Sequence, residues 1–102
     1  MNIGIDIVEC NRVAGLLNDK VFSENELSYI HKKKDNLSTV AGLFAAKEAY
    51  FKAKGTGIIK SELPQVEVGY HENGQPFYTN NESAVLSISH TASTAVAVCI
   101  IF

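Results

Sequence analysis

Cysteine, arginine and long apolar runs are scarce in this sequence. Its only cysteines, Cys10 and Cys99, are separated by most of the chain and lack the CxxC spacing of zinc or redox sites. Both are expected to be reduced and buried. The longest apolar run, Ala95 to Phe102, falls far short of the roughly twenty residues that a membrane span requires. The first residues show no basic-then-apolar signal pattern, so a cytoplasmic protein with no membrane association is expected. Basic charge is not in excess either. With a net charge of −2 and Arg12 as the sole arginine, the chain lacks the basic surface interleaved with aromatics that general nucleic-acid binding needs. No repeat, linker or low-complexity tract divides the sequence. Residues 1–102 are long enough for one core but not two, so a single domain is expected, and added stability from oligomerisation would be unsurprising.

What is present is an ordinary globular composition, 46% apolar and 20% charged, with clear periodicities. Ile3, Ile5 and Ile7 alternate with Gly4, Asp6 and Val8, a strand pattern that turns Asp6 away from the isoleucine face. Asn11 is placed to cap a short helix carrying Val13, Leu16 and Leu17. Ser23 and Glu26 have capping-box spacing, and Phe22 with Leu27 that of a hydrophobic staple, so a helix is predicted from Glu24 towards Lys33. Asp35 to Ser38 forms its exit and the next cap. A long helix then runs from about Thr39 to Lys54, ending at Gly55 in a left-handed cap. Beyond Pro64, Val66, Val68 and Tyr70 alternate and Asn73-Gly74 turns the chain back through Phe77 to Thr79, with Pro76 marking an edge. A last hairpin pairs Ala84–His90 with Ala95–Phe102. One strand, helices and then four strands imply an α+β domain. The closing strand is apolar on both faces and must be covered on both, which points to a homo-oligomer with this strand near the contact.

On the long helix, Val40, Ala41, Phe44, Ala45, Ala49 and Phe51 share a broad arc that also contains Glu48 and Lys52. An exposed i,i+4 Glu–Lys pair contributes only about 0.2–0.5 kcal/mol, too little to account for charges placed where a core expects apolar groups. If the fold brings Glu48 to Asp6, two carboxylates without histidine or cysteine at ligand spacing favour a hard cation such as Mg2+. Glu9 is the alternative acidic neighbour, and a strand-end turn is the simpler role for Asp6. Gly55-Thr56-Gly57 resembles a fragment of a phosphate-binding loop but fails both common templates, so a helix cap and turn is the simpler reading. His90 contacts phosphate or merely caps a hairpin, while His31 and His71 show no partner pattern. Lys32-Lys33-Lys34, Lys20 and Arg12 gather in the first third, suiting a solvated helix end or an acidic partner.

Taken in order, Gly4-Ile5-Asp6, Phe44-Ala45-Ala46-Lys47-Glu48-Ala49-Tyr50-Phe51-Lys52, Gly55-Thr56-Gly57 and Ser87-Ile88-Ser89-His90-Thr91 resemble the motifs of the holo-acyl-carrier-protein synthases, in the 4′-phosphopantetheinyl transferase family. The resemblance spans nearly the whole chain. It implies transfer of phosphopantetheine from coenzyme A to a serine hydroxyl of apo acyl carrier protein, releasing adenosine 3′,5′-bisphosphate. By the same resemblance, Asp6 and Glu48 hold Mg2+, and these two with Lys52 are the catalytic residues. Lys47, Lys52, Gly55, Thr56, Gly57, His90 and Thr91 line the coenzyme A site, Lys47 as a surface or outer contact. Arg12, on the first helix, is the candidate contact for the acidic carrier protein, and a homotrimer with coenzyme A between subunits is implied. The base that takes the serine proton is left open. Two departures stand out: Leu43 where many relatives carry an arginine, which removes a cationic phosphate contact, and an end at Phe102 that is shorter than usual. The competing reading is a coenzyme A or carrier-protein binding module of the same fold with weak or no catalysis; retention of Asp6, Glu48 and Lys52 favours the enzyme.

Overall fold

A computed structural model describes residues 1–102. Strand β1 (Asn2–Glu9) opens the chain and is followed by two 3-10 turns, Cys10–Arg12 and Ala14–Leu16. Helices α1 (Glu24–His31) and α2 (Asn36–Lys54) come next, then a 3-10 turn at Lys60–Gln65. Strands β2 (Val68–Tyr70) and β3 (Pro76–Tyr78) form a small hairpin, and β4 (Ala84–His90) and β5 (Thr94–Ile101) a larger one. The order is that of the α+β reading. Local chemistry sets the helix ends. Ser23 and Glu26 form the complete capping box of α1, and the Asp35 carboxylate accepts from Ser38 N–H to start α2 three residues earlier than the periodicity predicts. Gly55 closes α2 in a left-handed conformation, φ 76°, which a residue with a Cβ rarely adopts. The expected helix capped by Asn11 does not form: neither 3-10 turn there has a side-chain cap, so Arg12 sits on a tight turn.

Antiparallel strands in the order β1-β5-β4 build the main sheet. β5 is therefore central, hydrogen-bonded along both edges, while its two apolar faces meet different surroundings. One face, with Ala95, Ala97 and Cys99 on β5, packs against α2 and is buried. These small side chains let the helix lie close. Closest of all is Gly4 on β1, where an added Cβ would collide with the carbonyl oxygen of Ala49 and sit 2.6 Å from Ala53 N. The absent side chain presses β1 against the second half of α2.

The opposite face has nothing over it within the chain. Cross-strand rows Ile3–Ile100–Val85, Ile5–Val98–Ser87 and Ile7–Val96–Ser89 run across it, and Ile3, Ile5, Ile7 and Val85 are exposed. The period-two pattern separates the two faces of β1 correctly, with the polar Asp6 on the inner face and the isoleucines on the outer.

Candidate active site

Because β1 lies so close to α2, Asp6 is brought under the second half of the helix. Its side chain is 9% exposed, and Oδ1 accepts from Lys52 Nζ at 3.0 Å. Lys52 also donates to the Ile5 carbonyl oxygen at 3.0 Å. An ammonium has three donors, so one N–H of this half-exposed lysine remains for a ligand. Asp6 Oδ2 is buried and receives no donor while Glu48 is ionised; only a protonated Glu48 offers one. An orphaned buried carboxylate oxygen is costly unless something binds it.

Glu48 lines the same groove, about 400 Å³, together with Asp6, Glu9, Arg12 and Phe44. Burial, and then the neighbouring Asp6 carboxylate, push Glu48 up to about 7 against the opposing pull of Lys52. A Glu48 whose ionisation is opposed by burial and by Asp6, beside a buried Asp6 oxygen without a donor, is what a divalent cation would relieve. No third His, Cys, Asp or Glu joins them. A cation held here would complete its shell with water and ligand oxygens, as Mg2+ commonly does.

The raised Glu48 makes a pH prediction for the metal-free protein. Between its ordinary 4.5 and about 7, the folded state binds more protons at this carboxylate than the unfolded state, so stability falls as pH rises through that window. Melting temperatures in EDTA should decline from pH 5 to 7.5 relative to Glu48→Gln, and added Mg2+ should recover the loss above pH 7. A constant difference between the two proteins over that range would show that Glu48 does not titrate there.

Other candidate residues are placed apart. His90, at the end of β4, lines a separate cavity of about 340 Å³ with Lys33, Lys34, Asp35, Ser38 and Thr39, and its Nδ1 lies 3.2 Å from the Thr91 carbonyl oxygen. The Thr91 hydroxyl accepts from Ser93 and Thr94 N–H within the turn. Gly55 and Gly57, both at positive φ, flank Thr56 beyond the C-terminal end of α2. Leu43 is wholly buried in the core, so its position does not face a phosphate in this chain. Arg12 is exposed at the groove rim and pairs with Glu9 at 3.4 Å, a solvated pair that contributes little to stability.

Lys47 is the clear correction. It is not a surface or outer ligand contact but fully buried, donating to Glu26 Oε1 at 2.7 Å, the Leu63 carbonyl at 2.8 Å and the Val66 carbonyl at 2.9 Å. All three ammonium donors are used. α2 is buried on nearly every side, so no single apolar arc marks its core face, and a wheel cannot tell which charge is inside. The partner Glu26 is legible in the sequence only as a helix-capping residue.

A second, apolar groove of about 590 Å³ adjoins the carboxylate groove, sharing Leu16 and Phe44 with it. Val21, Ile58, Leu63 and Pro64 complete its walls, and Lys20 and Lys60 stand on its rim. Nothing in the sequence pattern marks this feature, because its residues come from three separated segments.

Residues 2–99 match the family model for the 4′-phosphopantetheinyl transferase superfamily. The chain belongs to this superfamily. Among its relatives, the holo-[acyl-carrier-protein] synthase of Bacillus cytotoxicus is 43% identical over 108 residues, covering 95% of this chain and 91% of that protein. The synthase of Treponema denticola is 38% identical, covering 99% and 97%. Among solved structures, the holo-(acyl-carrier-protein) synthase of Bacillus anthracis, in complex with CoA (3′,5′-ADP), superposes with a TM-score of 0.88 at 39% identity, covering 98% of this chain and 94% of that one. The Helicobacter pylori synthase in complex with coenzyme A gives 0.80 at 30% identity, covering 98% and 99%. Transferase family and the Asp6–Glu48–Lys52 constellation thus coincide in one chain.

Proposed function

We infer that this protein is a holo-acyl-carrier-protein synthase, moving 4′-phosphopantetheine from coenzyme A to a serine hydroxyl of apo acyl carrier protein. In the reaction, the serine oxygen bonds to the pyrophosphate phosphorus that carries pantetheine. The bond from that phosphorus to the bridging oxygen breaks, and adenosine 3′,5′-bisphosphate leaves with the bridging oxygen. The serine proton passes to a base in the site or to solvent.

The single observation that carries this reading is the orphaned Asp6 oxygen beside a Glu48 pushed up to about 7, with Lys52 bridging to Asp6. Asp6 and Glu48 would hold Mg2+, which when bound offsets the charge of the pyrophosphate. Lys52 keeps its remaining N–H for a phosphate oxygen while the Ile5 carbonyl and Asp6 hold its direction. His90, with Lys33 and Lys34, offers a second anion-facing surface for coenzyme A, and Gly55 to Gly57 permit close backbone approach.

An acidic carrier protein fits the rim formed by Arg12, Lys20 and Lys60 around apolar walls that lead from the outer groove to the carboxylates. The homotrimer covers the open isoleucine–valine face of the main sheet. Its support is that face together with the separation of the His90 cavity from the carboxylate groove, which leaves room for a neighbour to complete the ligand site. Two free, buried cysteines suit a reducing cytoplasm.

Mass spectrometry of apo acyl carrier protein incubated with this protein, coenzyme A and Mg2+ tests the reading. The carrier should gain one phosphopantetheine; no gain beside a competent control enzyme would reduce the chain to a binding module. Lys52→Ala should slow transfer on the order of 10–1000-fold, by analogy with other lost transition-state charge contacts. Unchanged kinetics would leave Lys52 only its ion pair with Asp6.

A further inference from the structure

The buried Lys47–Glu26 pair takes no part in the chemistry described above, yet it joins the catalytic helix to the outer groove. Lys47 directly precedes Glu48, and two of its three hydrogen bonds end on the carbonyls of Leu63 and Val66. Residues 58–66 form the far wall of the apolar groove through Ile58, Leu63 and Pro64. No backbone hydrogen bond connects this segment to another element; its turn bonds, Glu62 to Ile59 and Val66 to Glu62, are internal. From outside, only Asn80 adds a further bond, onto the Gln65 carbonyl. The ammonium therefore supplies two of the three hydrogen bonds that hold the wall.

Glu26 completes the device. It accepts from Lys47 and from the backbone N–H groups of Ser23 and Val68, so the start of α1, the start of β2 and the Lys47 ammonium converge on one carboxylate. A buried pair is weak as a source of net stability but strong as a specifier of geometry when every donor and acceptor is matched. Here the geometry specified is the spacing between the wall at Leu63 and the helix that carries Phe44 and Glu48.

We propose that Lys47 is a positioning residue, anchored by Glu26, that fixes the 58–66 wall relative to Glu48 and thereby sets the KM for the carrier protein. This rests on reading the apolar groove as the carrier-facing surface. Lys47 is buried away from both grooves, and the carboxylate groove is built from β1, the turns that follow it, α2 and the start of β5, without residues 58–66. Loosening the wall should accordingly affect docking more than chemistry.

The decisive variant is E26Q/K47M, because K47M alone leaves an unpaired buried carboxylate and so destabilises the whole fold. In the double variant, the amide introduced at position 26 is uncharged and keeps an acceptor oxygen for the Ser23 or Val68 N–H, while the ties to Leu63 and Val66 are lost. Hydrogen exchange followed by mass spectrometry should show amides of residues 58–66 exchanging about tenfold faster or more, with α2 protection retained, since local opening there needs fewer bonds to break. The KM for apo carrier protein should rise about tenfold, while kcat and the KM for coenzyme A stay within about twofold, the pattern of lost ground-state binding. Unchanged exchange at 58–66, or loosening with an unchanged carrier KM, would overturn the proposal. A variant that does not fold would overturn it as well, because the anchoring would then be global. A raised coenzyme A KM at unchanged carrier KM would reject the carrier assignment of the groove while exchange still reports the anchoring. Absence of transfer by the unaltered protein would instead reject the transferase reading.

Discussion

Glu48→Gln should lower kcat/KM for transfer by about a thousandfold or more, exceeding the loss typical of one removed electrostatic contact, while making the metal-free protein more resistant to heat above pH 7. The two effects have one cause. Burial and the Asp6 carboxylate both oppose ionisation of Glu48, so at neutral pH the metal-free fold carries a charge that its surroundings resist. An uncharged amide of nearly the same shape removes that conflict. It also removes half of the carboxylate pair that a divalent cation needs, so calorimetric Mg2+ binding should be lost along with turnover. Asp6→Asn should separate the two effects. Asp6 balances the Lys52 ammonium at 3.0 Å, and its loss breaks that partly buried ion pair while relieving Glu48, so activity falls without a gain in stability like that of Glu48→Gln. Full transfer by Glu48→Gln, or a lowered melting temperature at pH 8 in EDTA, would defeat the account of this site.

The opposed behaviour of these two carboxylates bears on how much of the site is readable from sequence. Period-two alternation is enough to turn Asp6 away from the isoleucines, and the misfit of Glu48 and Lys52 with an apolar arc is enough to single them out. Their convergence cannot be read locally, because it depends on the missing Cβ of Gly4 letting β1 press against Ala49 and Ala53. Lys47 escapes a sequence reading for a related reason. Helical periodicity locates a buried face only when the other face meets water, and α2 is covered nearly all round. The capping box, the left-handed Gly55 and both hairpins are legible because each is written in a few neighbouring residues. Those features depend on local backbone chemistry, whereas the grooves draw residues from distant segments. Leu43 shows the same limit from the other side: a comparison of motifs suggests a lost phosphate contact, but packing places the side chain in the core.

Val98→Asp should dissociate the proposed homotrimer into single chains. Val98 lies at the centre of the open sheet face, between Ile5 on β1 and Ser87 on β4. In an isolated chain this face meets solvent, so an aspartate there can remain hydrated and the fold, which is held from the other side by α2, should survive. In a homotrimer the same carboxylate is buried once per copy against apolar rows, at a cost of several kcal/mol for each unpaired charge. Three such charges outweigh what the patch gains from burial. Light scattering at micromolar concentration should give about three times the 11.1 kDa chain mass for the unaltered protein and a single chain mass for Val98→Asp, with unchanged far-ultraviolet circular dichroism. If the coenzyme A site is shared between copies, transfer should disappear with the assembly even though Asp6, Glu48 and Lys52 are intact. A single-chain variant that retains full turnover would place the whole site within one protomer, and an assembly of unchanged mass would remove this sheet face from the interface. Val98→Ile separates charge from size: it should keep the assembled mass, because the added methylene preserves the apolar face while aspartate does not.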